Sequence, residues 1–242
     1  MTGETHRAGG FLCSVIGFAV LKHNGLLLTD VHEGLQWLML YPFCMWGSVA
    51  PDLDHNSHAI PMKDPPSKLL NGILHIGAPL EKIAGDNKKS GVYKLGHLLN
   101  AHHRSWQTHS DLTLFLVGFL LYKIVSSEWQ VGVVNALLLQ IALTGICIGL
   151  IAHFILDMLT TDGVWSIVLC SIGLGVKKIF PKIKHFPQKL HIVPRLHCFR
   201  TGDDWEHFVC KTLHVCNWLG LIWLIYTVFD LQRLIPWEIT FG

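Results

Sequence analysis

Charge is scarce in this sequence. Asp, Glu, Lys and Arg together make up 15% of its 242 residues, whereas half are Ala, Val, Ile, Leu, Met, Phe, Trp, Tyr or Cys. With a mean hydropathy of +0.40, the chain cannot clothe an ordinary water-soluble domain, in which about a quarter of residues are charged. The net charge is only +2, and no run of Lys and Arg with interleaved aromatics makes a stripe for nucleic acid, so no nucleic-acid partner is expected. The seven cysteines form no CxxC pair, and Cys13, Cys44, Cys147 and Cys170 lie inside apolar runs, which argues against a secreted disulfide framework and predicts free thiols. A small-residue cleavage site is also missing after the apolar run 11–21, where Lys22, His23 and Asn24 follow instead. That run therefore reads as a retained helix and not as a removed signal. With no internal repeat, low-complexity tract or second soluble domain in sight, residues 1–242 read as a single integral-membrane domain.

What the sequence has in quantity is long apolar runs and sixteen histidines. The runs at 11–28, 35–50, 112–125, 131–159 and 213–229 predict about five membrane crossings, and the shorter run 164–176 predicts a re-entrant or interfacial helix. The expected fold class is therefore all-α, a multi-pass transmembrane helical bundle with basic loops. Residues 56–102 read as a polar loop within it, carrying one short amphipathic helix over 69–83. Lys63, Lys68, Lys82, Lys88, Lys89 and Lys94 fall in this loop, and a second basic stretch runs from Lys177 to Arg200. The positive-inside rule assigns both, and the N-terminus with them, to the cytoplasmic side.

The residues able to do chemistry gather on that predicted side. Pro51-Asp52-Leu53-Asp54-His55 ends the second apolar run. In an extended turn Asp52 and Asp54 point the same way, and with His55 they offer carboxylates and an imidazole to one cation. The plainer reading is a solvated helix end. Next, His102, His103, Arg104 and His109 precede the crossing at 112. His103 and His109, six apart, face one ion only from a loop, whereas His102 and His109, seven apart, could share a helix face. Arg104 could contact phosphate. On the longest apolar run, His153 and Asp157 are four apart and therefore on one helix face, as two ligands or as a ligand and its orienter. Ionisable groups inside an apolar helix are costly unless paired or functional. Glu206, near the start of the last helix, lies on the same side. Cys210 and His214, with Cys198 upstream, admit a small zinc site, although the missing CxxC pair weakens that reading.

In this order the motifs resemble the YdjM-like, LexA-regulated, inner-membrane metal-dependent hydrolases. The matching residues are His6 near the start, PDLDH at 51–55, and His103-Arg104 followed by Thr108-His109-Ser110. His153 and Asp157 with Leu159, Thr160 and Gly163, and Thr201-Gly202 with Glu206, complete the pattern. The family spaces its two middle histidines five positions apart and this chain six, so His102 or His103 could take the ligand role, or the loop could bulge at Gln107. The resemblance implies a bacterial inner-membrane hydrolase holding one or two divalent ions, Zn or Mn. The metal candidates are His6, Asp52, Asp54, His55, His109, His153 and Asp157. Glu206 or the histidine His103 is expected as general base, and Arg104 is expected to stabilise developing negative charge. A site at head-group depth suggests membrane lipids, and a phospholipid or other phosphoester as substrate. Two rivals use the same residues: a divalent-metal or proton transporter, and a non-catalytic scaffold with a structural metal.

Overall fold

The computed structural model describes residues 2–27, 31–54, 65–85, 87–100, 108–126, 133–160, 163–179, 189–190 and 203–228. These are almost wholly helical: α1 Gly3–His23, α2 Glu33–Gly47, a 3-10 turn Ala50–Asp54, α3 Pro65–Leu74, α4 Ala78–Ala84, α5 Gly91–Leu99, α6 Asp111–Val125, α7 Val133–Met158, α8 Ile167–Ile179 and α9 Asp204–Val228. The two-residue strands β1 (Val164–Trp165) and β2 (Lys189–Leu190) pair antiparallel between them. The all-helical class is as expected, with this one small sheet added.

Helix α7 is the centre, packed by α1, α2 and α6, and α9 closes on α1. Its contact with α2 is unusually close because Gly145 and Gly149, one turn apart, present no side chain there. A Cβ on Gly149 would lie 2.2 Å from Cys44 O, and one on Gly145 would lie 2.7 Å from Leu40 O. This small-xxx-small pattern lets helix backbones touch without help from water-driven burial, as membrane helices require. The buried Cys44 Sγ in turn donates to Gly10 O at 3.2 Å, tying α1 to α2. Around these contacts Val15, Phe18, Trp37 and Leu224 join α1, α2 and α9, while Leu150, Phe154 and Val164 join α7 to β1.

Among the described residues, two helices are long and apolar enough to cross a membrane, Leu137–Met158 and Asp204–Val228. Helices α2 and α6 have fifteen residues each, short of the ~20 that span a hydrocarbon core. The outer faces nonetheless carry large apolar side chains. Phe115 and Phe119 on α6, and Trp218 and Ile222 on α9, are more than half exposed, a pattern suited to lipid and hostile to water.

Two local expectations need correction. Residues 69–83 are not one helix, nor is the rest of 56–102 loop throughout, since α3, α4 and α5 occupy much of it. The chain breaks between α3 and α4 because Gly77 packs against α5 so closely that a Cβ there would lie 2.1 Å from Gly96 O. After a turn at Gly85 (φ 54°), Ser90 starts α5 by accepting the Tyr93 N–H at 3.0 Å. The second correction is at Asp52. Its backbone is a 3-10 turn and not an extended one, so the alternation that would align Asp52 with Asp54 does not operate.

Candidate metal centre

Five of the predicted residues meet at one end of the bundle. His6 lies in the first turns of α1, Asp52 in the 3-10 turn after α2, and His109 just before α6. His153 and Asp157 lie in the last turns of α7. Antiparallel neighbours bring opposite termini to the same end, which is how positions 6, 52, 109 and 153 become neighbours. His6, His109, His153 and Asp157 are 0% exposed and Asp52 is 9% exposed.

Their donor atoms form a closed set. His6 Nε2 lies 3.4 Å from Asp157 Oδ1 and 3.7 Å from Asp52 Oδ2. His109 Nε2 lies 3.3 Å from Asp52 Oδ1 and 3.6 Å from Asp157 Oδ2. His153 Nε2 is 3.3 Å from Asp157 Oδ2. These separations are long for charge-assisted hydrogen bonds. They do match the roughly 3.4 Å between ligands arranged tetrahedrally at ~2.1 Å from one ion. Each carboxylate also turns one oxygen toward His6 and the other toward His109, which would let the pair bridge two ions as readily as enclose one. Two overlapping triads, His6–His153–Asp157 and Asp52–His109–His153, have ligand atoms mutually within 4.8 Å.

The histidine orientations are fixed from behind. His153 Nδ1 donates to Ser48 O at 2.8 Å. Since a carbonyl only accepts, the ring proton sits on Nδ1 and the Nε2 lone pair points at the carboxylates. The Gly149 contact makes this bond possible by bringing the C-terminal carbonyls of α2 against α7. His109 is held through its backbone, whose carbonyl accepts the Trp165 N–H at 2.9 Å, and through Thr108 Oγ1, 3.0 Å from its Nδ1. His6 stacks on His153 at a centroid distance of 3.9 Å, and neither of its ring nitrogens has a hydrogen-bond partner. Buried imidazole nitrogens without partners are rare unless an ion or water completes them. The donor set of three imidazoles and two carboxylates could therefore hold a metal ion.

At Asp52, burial alone would raise the carboxyl pKa. Facing His153, the His109 hydrogen bond and His6 outweigh that effect and hold it below the usual carboxylate range. Asp52 is therefore ionised at neutral pH and available as a ligand. Its turn is braced by α3, where Asn71 Nδ2 donates to Leu53 O at 2.5 Å and the Ser67 hydroxyl accepts from Trp46 Nε1 at 3.0 Å. The segment expected to be loop thus supports the centre.

Glu206 stands beside the cluster and not among the five residues whose donor atoms meet. Its Oε1 accepts the Thr5 hydroxyl at 3.0 Å and the backbone N–H of Thr2, anchoring the first turn of α1, on which His6 follows directly. His55, His102, His103 and Arg104 lie outside the described residues, as does the Asp54 side chain. Of the supporting groups, Thr108 belongs to the motif that ends in His109, whereas Ser48, Trp165 and Thr5 had not been singled out as part of the site. Only the Gly145–Gly149 spacing carried a readable signal, because a backbone carbonyl such as Ser48 O leaves no trace in residue identity.

Among known families, the model described as YdjM inner membrane protein matches residues 1–228. No curated protein and no solved structure matches the chain.

Proposed function

The chain belongs to the YdjM inner membrane protein family, and we propose that it is a membrane-bound, metal-dependent hydrolase. The observation that carries this reading is the pair of facing acceptors at His153 and Asp157. With its proton committed to Ser48 O, Nε2 directs a lone pair at a carboxylate oxygen 3.3 Å away. Such an approach is repulsive unless a cation or a second proton lies between. Two further imidazoles and a second carboxylate around the same space favour the cation.

His6, Asp52, His109, His153 and Asp157 would hold one or two ions. When bound, Zn or Mn supplies Lewis acidity and lowers the pKa of a coordinated water toward neutrality. The residues of the chain do the positioning: Ser48 O and Thr108 orient His153 and His109, and Glu206 fixes the turn that carries His6. Glu206 is therefore assigned to positioning, ahead of the general-base role that its place in the motif suggests. Asp54, His55, His103 and Arg104 remain assigned on sequence grounds, the first three as ligands or base and Arg104 as the cation facing a phosphoryl or acyl oxygen. The same reading takes five crossings from the apolar runs and the cytoplasmic face from the basic loops, with a phospholipid or other lipid phosphoester as substrate.

The test uses protein purified in lipid nanodiscs. Wild type should contain at least one divalent ion per chain and release product from a mixture of lipid phosphoesters. His153→Ala should lose the ion, and Asp157→Asn should lose turnover, while both remain inserted. Full metal content in His153→Ala refutes the site. Uptake of Zn or Mn into sealed vesicles by wild type, with no product from any phosphoester, overturns the hydrolase in favour of a transporter.

A further inference from the structure

We propose that Glu4, Cys210 and His214 form a second, separate site for a thiophilic divalent cation of the zinc class, clipping α1 to α9. Their ligand atoms lie mutually within 4.8 Å, and His214 Nε2 is already 3.6 Å from Glu4 Oε1. Around a tetrahedral Zn, neighbouring S, N and O ligands are about 3.4 to 3.6 Å apart, so only modest closure is needed. The two outer groups can provide it, since the Glu4 and His214 side chains are 77% and 52% exposed while Cys210 is buried.

The scaffold places the donors. Cys210 and His214 are four apart on α9 and share a face. Glu4 is two residues before His6, roughly 200° round α1, so it points away from the first centre. The helices are held in register on both sides of the cluster, by Glu206 with Thr5 and by Asn217 Nδ2 donating to Ala8 O at 3.0 Å. A thiolate, an imidazole and a carboxylate make a borderline-soft set. With three protein donors, the fourth position is left to water or an incoming ligand. Filling this site ties the first turn of α1 to α9 and so stiffens the segment that presents His6.

Sulfur gives the site its own signature. None of the five residues of the first centre is a cysteine, so a thiolate-to-metal charge-transfer band cannot come from them. Metal-free full-length protein in nanodiscs is titrated with Co(II) and followed in the near ultraviolet. Wild type and His153→Ala should both develop the band, and Cys210→Ser should lack it. His214→Ala, at an exposed position where folding is not at stake, should weaken the binding that produces the band by about tenfold or more. Cobalt binding without the band, a band that survives Cys210→Ser, or unchanged affinity in His214→Ala would each overturn the proposal. Loss of metal from the first centre in His153→Ala is read separately by total metal content, so failure of one site is distinguishable from failure of the other.

Discussion

Gly149→Ala links the packing of the bundle to the chemistry of the centre. The added methyl group would sit 2.2 Å from Cys44 O and 2.6 Å from Ser48 N. Both are backbone atoms of the last turn of α2 and its cap, so no rotamer change relieves the overlap. Restoring ordinary contact displaces that end of α2 by about 1 Å. The same displacement carries Ser48 O away from His153 Nδ1, and a 2.8 Å bond opened by that amount is no longer a hydrogen bond. Overpacking of this kind costs about 1 to 3 kcal/mol, and a stranded buried donor costs a comparable 1 to 3 kcal/mol or so. Because one movement causes both, the total is expected to fall short of their sum. Losing the group that orients a ligand typically lowers metal affinity about 10- to 100-fold. The assay pairs thermal unfolding in nanodiscs with a chelator-competition titration. Gly118→Ala on α6 is the control, since a Cβ there meets nothing within 4 Å. A Gly149→Ala protein with both the unfolding midpoint and the metal affinity of wild type would refute the claim that helix contact sets the imidazole.

Glu206→Ala should lower stability by about 2 kcal/mol by stranding the Thr2 N–H and the Thr5 hydroxyl, with a smaller loss in Glu206→Gln; equal midpoints for the two would contradict the anchoring role. Metal affinity should fall as the pH drops, because protons compete with the ion for the three histidines. The sign is toward weaker binding in acid, and a titration at about pH 7 and about pH 5.5 that gives the same affinity would contradict imidazole ligation. Lys88→Cys and Lys184→Cys, in protein whose native thiols are blocked, should label from the same side of sealed vesicles; labelling from opposite sides would break the one-sided topology.

His153 and Asp157 were legible because their relation is local: four residues on a helix share a face whatever surrounds them. Asp52 was legible as a candidate through the helix stop at Pro51, but its direction was not, since an extended turn and a 3-10 turn place successive side chains differently. Residues 56–102 look like loop because Pro and Gly are dense there. The same residues bound short helices instead: Pro65 opens α3, Ser90 caps α5, and Gly77 permits the close approach between α4 and α5. Glu206 shows the limit of the motif argument. The motif pattern singled it out, but its contact with Thr2 and Thr5 depends on α1 and α9 being neighbours, a pairing across two hundred residues that no spacing encodes.

The choice between hydrolase and conduit turns on what lies along α7 beyond the centre. A permeation path needs polar groups spaced through the membrane depth. Far from His153, Gln36, Gln140 and Thr144 do line a cavity of about 250 Å³ together with apolar side chains. Between that cavity and the centre, however, α2 and α7 touch backbone to backbone at Gly145 and Gly149, where Cys44 is fully buried. The glycines that bring Ser48 O to His153 therefore also close the route an ion would take along this pair of helices. Orienting the imidazole and sealing the space behind it are consequences of the same packing. That packing supports a centre that acts from one end of the bundle, with no metal flux expected through it.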